Sequence, residues 1–583
     1  MRPGVTIEQA RADLQTVGAQ LAQAYPDTNT GWGATAVPMH EQTIGNARPA
    51  LLVLLASVGV VLLMASVNVA NLLLARSVSR QQELSVRAAL GANRGHLIQQ
   101  AFTESLLLSC LGGLASLFVL RWGVRVLLAL APPELPRLAD VHVDARVVLF
   151  TGLVALIVGL VVGIAPALMA SRSEVRGALQ EAGRGSTGAS PARHRLRAGL
   201  VVAEIALAVL MTVGAGLLLR SFSRLLSVDP GFTPERLLTL QLNVPDRLTT
   251  PDARRAFYEE LFTRLQALPG VTAVGGTTRL PLGSTNVSTT VVVEGRNTPT
   301  AELPEVEFRR SLHDYFKAMG IAVLRGRGFT RDDTATAPGV AVINQTMARR
   351  VFGEADPLGV RIRIGPSPAS PWLTIVGVIG DVRHAGLERE PSPEMYVNYL
   401  QNPPVSPFLV FRTTGDPAAL AEGVRAEMRA LSASMPVYDV RTMMEIRSES
   451  VAERRFTLLL VGLFGVLALT LAASGVYGVM TLIISERTGE LGLRMALGAE
   501  PRQMLGLVVG QALGLAATGI IAGLILASAV APLLAHQLFG VAPLDPITFL
   551  GVPLVLFGVA LLAALIPAAR VMRLDPLTAL RHG

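Results

Sequence analysis

At 583 residues, 51% of them hydrophobic and 16% charged, with a mean hydropathy of +0.47, the chain is too apolar for an ordinary soluble protein, and most of that apolar surface must face lipid. The formal charge of +8 rests almost wholly on arginine, because Lys317 is the sole lysine; the arginines gather at the ends of apolar runs, as the positive-inside rule requires, which sets aside a nucleic-acid partner. The single cysteine, Cys110, excludes a disulfide framework and a cysteine metal site, and its place in an apolar run predicts a buried structural thiol.

No signal peptide follows Met1. Arg2-Pro3-Gly4-Val5 leads directly into an amphipathic helix with Ile7, Ala10, Leu14, Val17 and Leu21 on one face, then Pro26 and a short strand. Runs long enough to span a bilayer follow at about 50–75, 101–120, 148–170, 199–219, 457–484, 504–530 and 548–569. None has a charge near its centre, where one would cost roughly 2.5–3.5 kcal/mol. The loop after the first span holds Arg76, Arg80, Arg87 and Arg94 against Glu83. The loop after the third holds Arg172, Arg176, Arg184, Arg193, Arg195 and Arg197 against Glu174 and Glu181, so both are assigned to the cytoplasm. Counting onward places 221–455 outside and 485–503 inside, together with the tail carrying Arg570, Arg573 and Arg581. Residues 1–47 then fall outside with nothing to export them, which leads to the expectation of a span ahead of Met1 and of an N-terminally truncated sequence.

The polar stretch 221–455 alternates strand-like runs (238–244, 340–343, 373–379) with helical ones (252–268, 345–352, 417–431), the pattern of a mixed α/β domain, and Asn344 is placed to cap the helix after it. It holds no His-Glu-x-x-His and no Gly-x-Ser-x-Gly, and His384 with Glu388 reads as an ordinary surface pair, so neither a catalytic nor a metal site is predicted. A nucleotide-binding P-loop needs a lysine after a glycine-rich turn; Lys317 has none, so ATP-driven work requires a separate subunit and no cofactor belongs to this chain.

The segment from Arg80 to Ala92 (RQQELSVRAALGA) returns from Arg487 to Ala499 (RTGELGLRMALGA), and each copy has one span before it and two after it. The predicted layout is therefore 1–47, the end of a first extracytoplasmic domain; 48–180, a first three-helix module; 181–198, a cytoplasmic linker; 199–220, a span; 221–455, a complete external domain; and 456–583, a second three-helix module. In the repeated segments Glu83 and Arg87, and Glu490 and Arg494, stand at i,i+4 on a short helix that Gly91 and Gly498 would end. Arg80, Glu83, Arg87, Gly91, Arg487, Glu490, Arg494 and Gly498 make up the candidate docking surface for a soluble partner. Glu104 and Glu204 are the candidate intramembrane acids, and pairing with arginines such as Arg94 and Arg197, or hydration at the interface, is the favoured reading of both. The pairs Gly159/Gly163 and Gly519/Gly523 predict close helix packing.

The span, external domain and three spans, with Glu486-Arg487-Thr488-Gly489-Glu490-Leu491-Gly492-Leu493-Arg494 after the second span, resemble the FtsX/MacB-type ABC transporter permeases. The tandem copy, with Val201-Val202-Ala203-Glu204-Ile205-Ala206-Leu207 and Val228-Asp229-Pro230-Gly231-Phe232, is similar to the duplicated orphan permeases of the acidobacterial type. Asp314-Tyr315-Phe316, Leu324-Arg325-Gly326-Arg327-Gly328-Phe329 and Val376-Gly377-Val378-Ile379-Gly380-Asp381-Val382 are similar to the MacB periplasmic core domain. The resemblance implies an α-helical transmembrane bundle of two FtsX-like modules plus a mixed α/β extracytoplasmic domain, in the bacterial inner membrane. It also implies docking on a MacB- or LolD-like P-loop ATPase dimer, with envelope or adaptor proteins as further partners. Efflux or extraction of a substrate is the activity so implied; the alternative is mechanotransmission to a cell-envelope enzyme without transport.

Overall fold

A computed structural model describes residues 4–29, 33–39, 41, 48–79, 94–132, 140–172, 191–244, 248–283, 286–432, 435–486, 494, 497 and 500–571; at 27, 28, 73–79, 94–102, 104–106, 108, 109, 159–172, 191–194, 485, 486, 501, 570 and 571 it describes the backbone alone. In chain order the helices are α1 (Ile7–Ala24), α2 (Arg48–Ser79), α3 (Arg94–Leu130), α4 (Ala145–Arg172), α5 (Pro191–Leu226), α6 (Pro251–Gln266), α7 (Tyr315–Met319), α8 (Gln345–Met347), α9 (Pro417–Leu431), α10 (Met443–Ser450), α11 (Ala452–Glu486), α12 (Pro501–Val530) and α13 (Pro546–Val571). The strands are β1 (Leu237–Leu242), β2 (Val271–Thr277), β3 (Ser288–Val293), β4 (Glu305–His313), β5 (Val323–Gly326), β6 (Val340–Asn344), β7 (Arg361–Ile364), β8 (Trp372–Ile379), β9 (Glu394–Asn398), β10 (Phe408–Thr413) and β11 (Val437–Thr442). Two units result, one of Met1–Gly45 with Leu225–Glu453 and one of Asn46–Arg224 with Arg454–Gly583.

The second unit is helical because lipid offers no hydrogen-bond partner to a backbone, so each crossing must satisfy its own amides and carbonyls. All seven expected spans fall within the long helices α2, α3, α4, α5, α11, α12 and α13. Six of these are long and apolar enough to cross a bilayer, and α4 is apolar over Ala145–Val158, where its side chains are described. Half of the most apolar stretch of α5 is buried but none of that in α3, which makes α5 a central helix and α3 a peripheral one. Cys110 on α3 is exposed, contrary to the expected buried thiol: within a membrane an apolar neighbourhood means contact with lipid as readily as contact with protein.

The core of this unit is assembled from ridges of residues four apart. Met504, Val508, Ala512, Ala516 and Ile520 form one on α12, and Val552, Leu556, Ala560, Ala564 and Ala568 form another on α13. Gly519 and Gly523 extend the α12 contact to α5, against Ile205 and Val209. At the other end of α5, Arg220 forms an ion pair with Asp545, which caps α13 by accepting from the Thr548 amide at 3.0 Å and its hydroxyl at 2.8 Å. Replacing Asp545 by alanine is expected to lower stability by ~1–2 kcal/mol. Asp545→Asn, which keeps the cap acceptor, should lose less; thermal unfolding in detergent checks both.

The other unit carries one sheet in the order β11-β1-β10-β2-β4-β3-β7-β8-β6-β9, with β5 added to β8. Because β4 also pairs with β9, strands β4, β3, β7, β8, β6 and β9 close into a barrel. Its interior takes Val291, Val306, Ile343, Ile362, Ile375, Met395 and Val397, while α6 and α9 cover the open half through Tyr258, Phe262, Leu265, Val424 and Met428. Asn344 caps α8 as expected, accepting from the Met347 amide at 2.8 Å, and the helix continues as a π turn over Ala348–Phe352. The strand expected after Pro26 is not found among the described residues 33–38. After Pro436, by contrast, the strand β11 does form, and it has β1 to pair with.

Candidate functional site

Seven of the eight docking residues, Arg80, Glu83, Arg87, Gly91, Arg487, Glu490 and Gly498, lie outside the described residues. Arg494 is described, helical and exposed. Gly159 and Gly163 lie on α4, and Glu104 on α3, where only the backbone is described.

Glu204 lies on α5 and is 1% exposed, so the expected hydration at an interface is not found. Its position on a central helix turns it toward α11 and α2 instead of headgroups. The carboxylate Oε1 accepts from Asn68 Nδ2 at 2.6 Å, and Asn68 Nδ2 also donates to the Leu471 carbonyl at 3.1 Å. Oε2 is buried with no hydrogen-bond partner among the described residues.

A second concentration of charge lies in the α/β unit. Along β4, Val306 and Phe308 point into the barrel, so the intervening Glu307, Arg309 and Ser311 point outward, yet other segments cover them and Arg309 is 1% exposed. The parallel strand β9 sets Glu394 beside Glu307 and Tyr396 beside Arg309. Arg309 Nη2 donates to Glu307 at 2.6 Å and to Asn286 at 2.9 Å, and its Nη1 stands 3.6 Å from Glu394. Tyr396 donates to Glu394 Oε2 at 2.9 Å, and His384 Nε2 lies 3.1 Å from the Tyr396 oxygen and 3.3 Å from that carboxylate. Burial pushes the Glu394 carboxyl up, but His384 and Arg309 more than reverse this and hold it below the usual carboxylate range. Burial likewise raises the Tyr315 and Tyr396 phenols, so both stay neutral, and Tyr396 can act as the donor to Glu394.

His384 is therefore not the surface residue that its spacing from Glu388 suggested: it is 3% exposed and turns to Tyr396 and Glu394. The loop that carries it folds over the outer face of the barrel, and sequence proximity to Glu388 does not set its contacts. The only sequence signal of this cluster is the alternation Glu305, Glu307, Arg309 against Val306 and Phe308, which reads as a solvated strand face until a cover is known. Asn68 carries no such signal. Among the described residues no three His, Cys, Asp or Glu side chains come together in a metal-binding group.

The family model of the FtsX-like permease C-terminal domain matches residues 55–175 and again 462–576, and that of the MacB-like periplasmic core domain matches 198–431. The macrolide export ATP-binding/permease protein MacB of Chromobacterium violaceum is 28% identical over 199 residues, covering 33% of this chain and 30% of that protein. MacB 1/2 of Paracoccus denitrificans is 28% identical over 287 residues, covering 46% of this chain and 41% of that protein. The chain thus spans less than half the length of these curated relatives. The crystal structure of the periplasmic region of MacB from Actinobacillus actinomycetemcomitans aligns over 39% of this chain and 96% of its own, at 14% identity and a TM-score of 0.27. With two FtsX-like segments flanking a MacB-like domain, all on a scaffold of membrane-spanning helices, this chain belongs to the FtsX/MacB-type ABC transporter permeases.

Proposed function

We propose that the chain is the membrane subunit of an ATP-driven machine that exports or extracts a substrate at the outer face of the bacterial inner membrane, powered by a separate P-loop ATPase dimer. The observation that carries the reading is the chain's layout. Two copies of one permease segment bracket the α/β domain, and the chain passes between the two units within α5 and at the start of α11. An α-helix moves as a stiff rod, so displacement at the cytoplasmic ends of these spans would be delivered to the base of the external domain. Arg80, Glu83 and Arg87 in one copy, and Arg487, Glu490 and Arg494 in the other, are proposed as the surfaces that receive that displacement. ATP is bound and hydrolysed by the partner, and lipid surrounds the bundle.

The protein purified in nanodiscs from its own cells is expected to bring down a P-loop ATPase. Reversing charge at Arg487, Glu490 and Arg494 together should reduce that association at least ~10-fold, the loss expected when several charge-assisted contacts become repulsive. An equal yield of ATPase with the reversed variant, or none with either, sinks the reading.

A further inference from the structure

The internal repeat and the buried intramembrane carboxylate meet at one place. In the register that pairs Arg80 with Arg487, Asn68 of α2 corresponds to Gly475 of α11, and the two FtsX-like segments, beginning at 55 and 462, share that register. Glu204 of α5 touches both positions. Its Oε1 takes the hydrogen bond from Asn68, while its Oε2 lies so close to Gly475 that a Cβ there would stand 2.0 Å away. One copy supplies the donor and the other supplies the space.

The same face of α2 carries the rest of its inward residues. Ser57 is 6% exposed, Met64 is fully buried in the core shared by α5, α11, α12 and α13, and Val60 packs against that core. Leu55, Leu62, Leu63 and Leu72, on other faces, are exposed. Apolar side chains gain little from meeting one another in lipid, because the tails they leave are equally apolar, so polar pairs and close packing decide which helices associate. A buried carboxylate whose one donor among the described residues sits on another helix is such a pair.

We infer that Glu204, Asn68 and Gly475 form a polar clamp that fastens the first permease copy onto the second within the bilayer. The two copies have diverged at one register position to make it. Glycine at both positions would leave the carboxylate with no donor, and asparagine at both would drive it away from α11. The clamp is therefore a feature of the fused pair and one-sided by construction. It does not depend on the identity of an ATPase or a cargo.

The test uses the full chain with a specific protease site introduced within 181–190. The intact, monodisperse protein is purified in mild detergent and only then cut, and the two fragments are followed by size exclusion. Without further change they are expected to elute together. Asn68→Leu and Glu204→Leu should each release more than half of the N-terminal fragment, and the double variant should release no more than either single one. Glu204→Gln, which keeps a carbonyl oxygen for Asn68, should behave as the parent does. Retention of the fragment by both leucine variants overturns the clamp. Release by Glu204→Gln to the same extent as Glu204→Leu overturns it as well, since the effect would then belong to the surrounding packing and not to the hydrogen bond.

Discussion

Arg309→Leu is expected to destabilise the α/β unit by ~3–5 kcal/mol, the cost of leaving buried carboxylates without their cation. Glu307 and Glu394 both face the Arg309 guanidinium, and Glu394 and Arg309 are each 1% exposed, so water cannot replace the lost partner. Limited proteolysis of the intact chain provides the measurement, with cleavage within 225–453 rising steeply in the variant. Replacing Glu307, Arg309 and Glu394 together by apolar residues of similar volume should cost much less than the single change, because no charge is then stranded. The same geometry sets a pH dependence. Glu394 is held below the usual carboxylate range, so its contribution is fully present above the unfolded value of about 4.3 and is lost as pH falls through the lower folded value. The unit should therefore resist proteolysis from neutral pH down to about 4 and begin to open only below it. Parent and variant proteolysed equally, or a parent that opens near pH 6, would count against this account.

Gly523→Leu is expected to prevent recovery of a monodisperse protein, with Gly519→Leu close behind. At Gly523 even a Cβ would stand 2.6 Å from Val209 Cβ and 2.8 Å from the Ala206 carbonyl; at Gly519 it would stand 2.7 Å from Ile205 Cβ and 3.0 Å from the Val202 carbonyl. Two of these neighbours are backbone atoms of α5 and cannot swing aside, so the helices must separate. Alanine at either site should cost ~1–3 kcal/mol, as overpacking does in other tight cores. Gly514 lies on the same helix with nothing within 4 Å of its Cβ position, and Gly514→Ala is the control expected to leave the melting temperature unchanged. If Gly514→Ala and Gly523→Ala behave alike, the close α5–α12 contact is not what holds these helices.

The Gly519/Gly523 pair shows how far pattern alone can reach. Its spacing announced a close approach, but sequence named no partner, and α5 became that partner only through the packing of the bundle. Asn344 was legible as a cap, since a cap acts on amides within a few residues of itself. Its side chain also donates to the Ser392 carbonyl at 2.8 Å and accepts from the Glu394 amide at 2.9 Å, which the packing alone decides. His384 was legible only as a residue type: its distance to Glu388 along the chain suggested a surface pair, whereas the loop carries it inward to Tyr396 and Glu394. For Cys110 the apolar run implies burial in protein, whereas the structure places it on an exposed face.

What the sequence by itself determined is local and periodic. Seven apolar lengths, the repeated Arg-Glu-Arg segment, the alternation of strand and helix between 221 and 455 and the family membership are all written in neighbouring residues. A bilayer turns ~20 apolar residues into a helix whatever lies elsewhere in the chain. What only the tertiary structure decided is which polar groups meet. Asn68 and Glu204 are 136 residues apart, and Glu394 reaches Arg309 because β9 pairs in parallel with β4 to close a barrel. In a medium of low polarity a buried charge must take its partner from whatever the packing of distant elements brings alongside, and no periodicity along the chain records that choice.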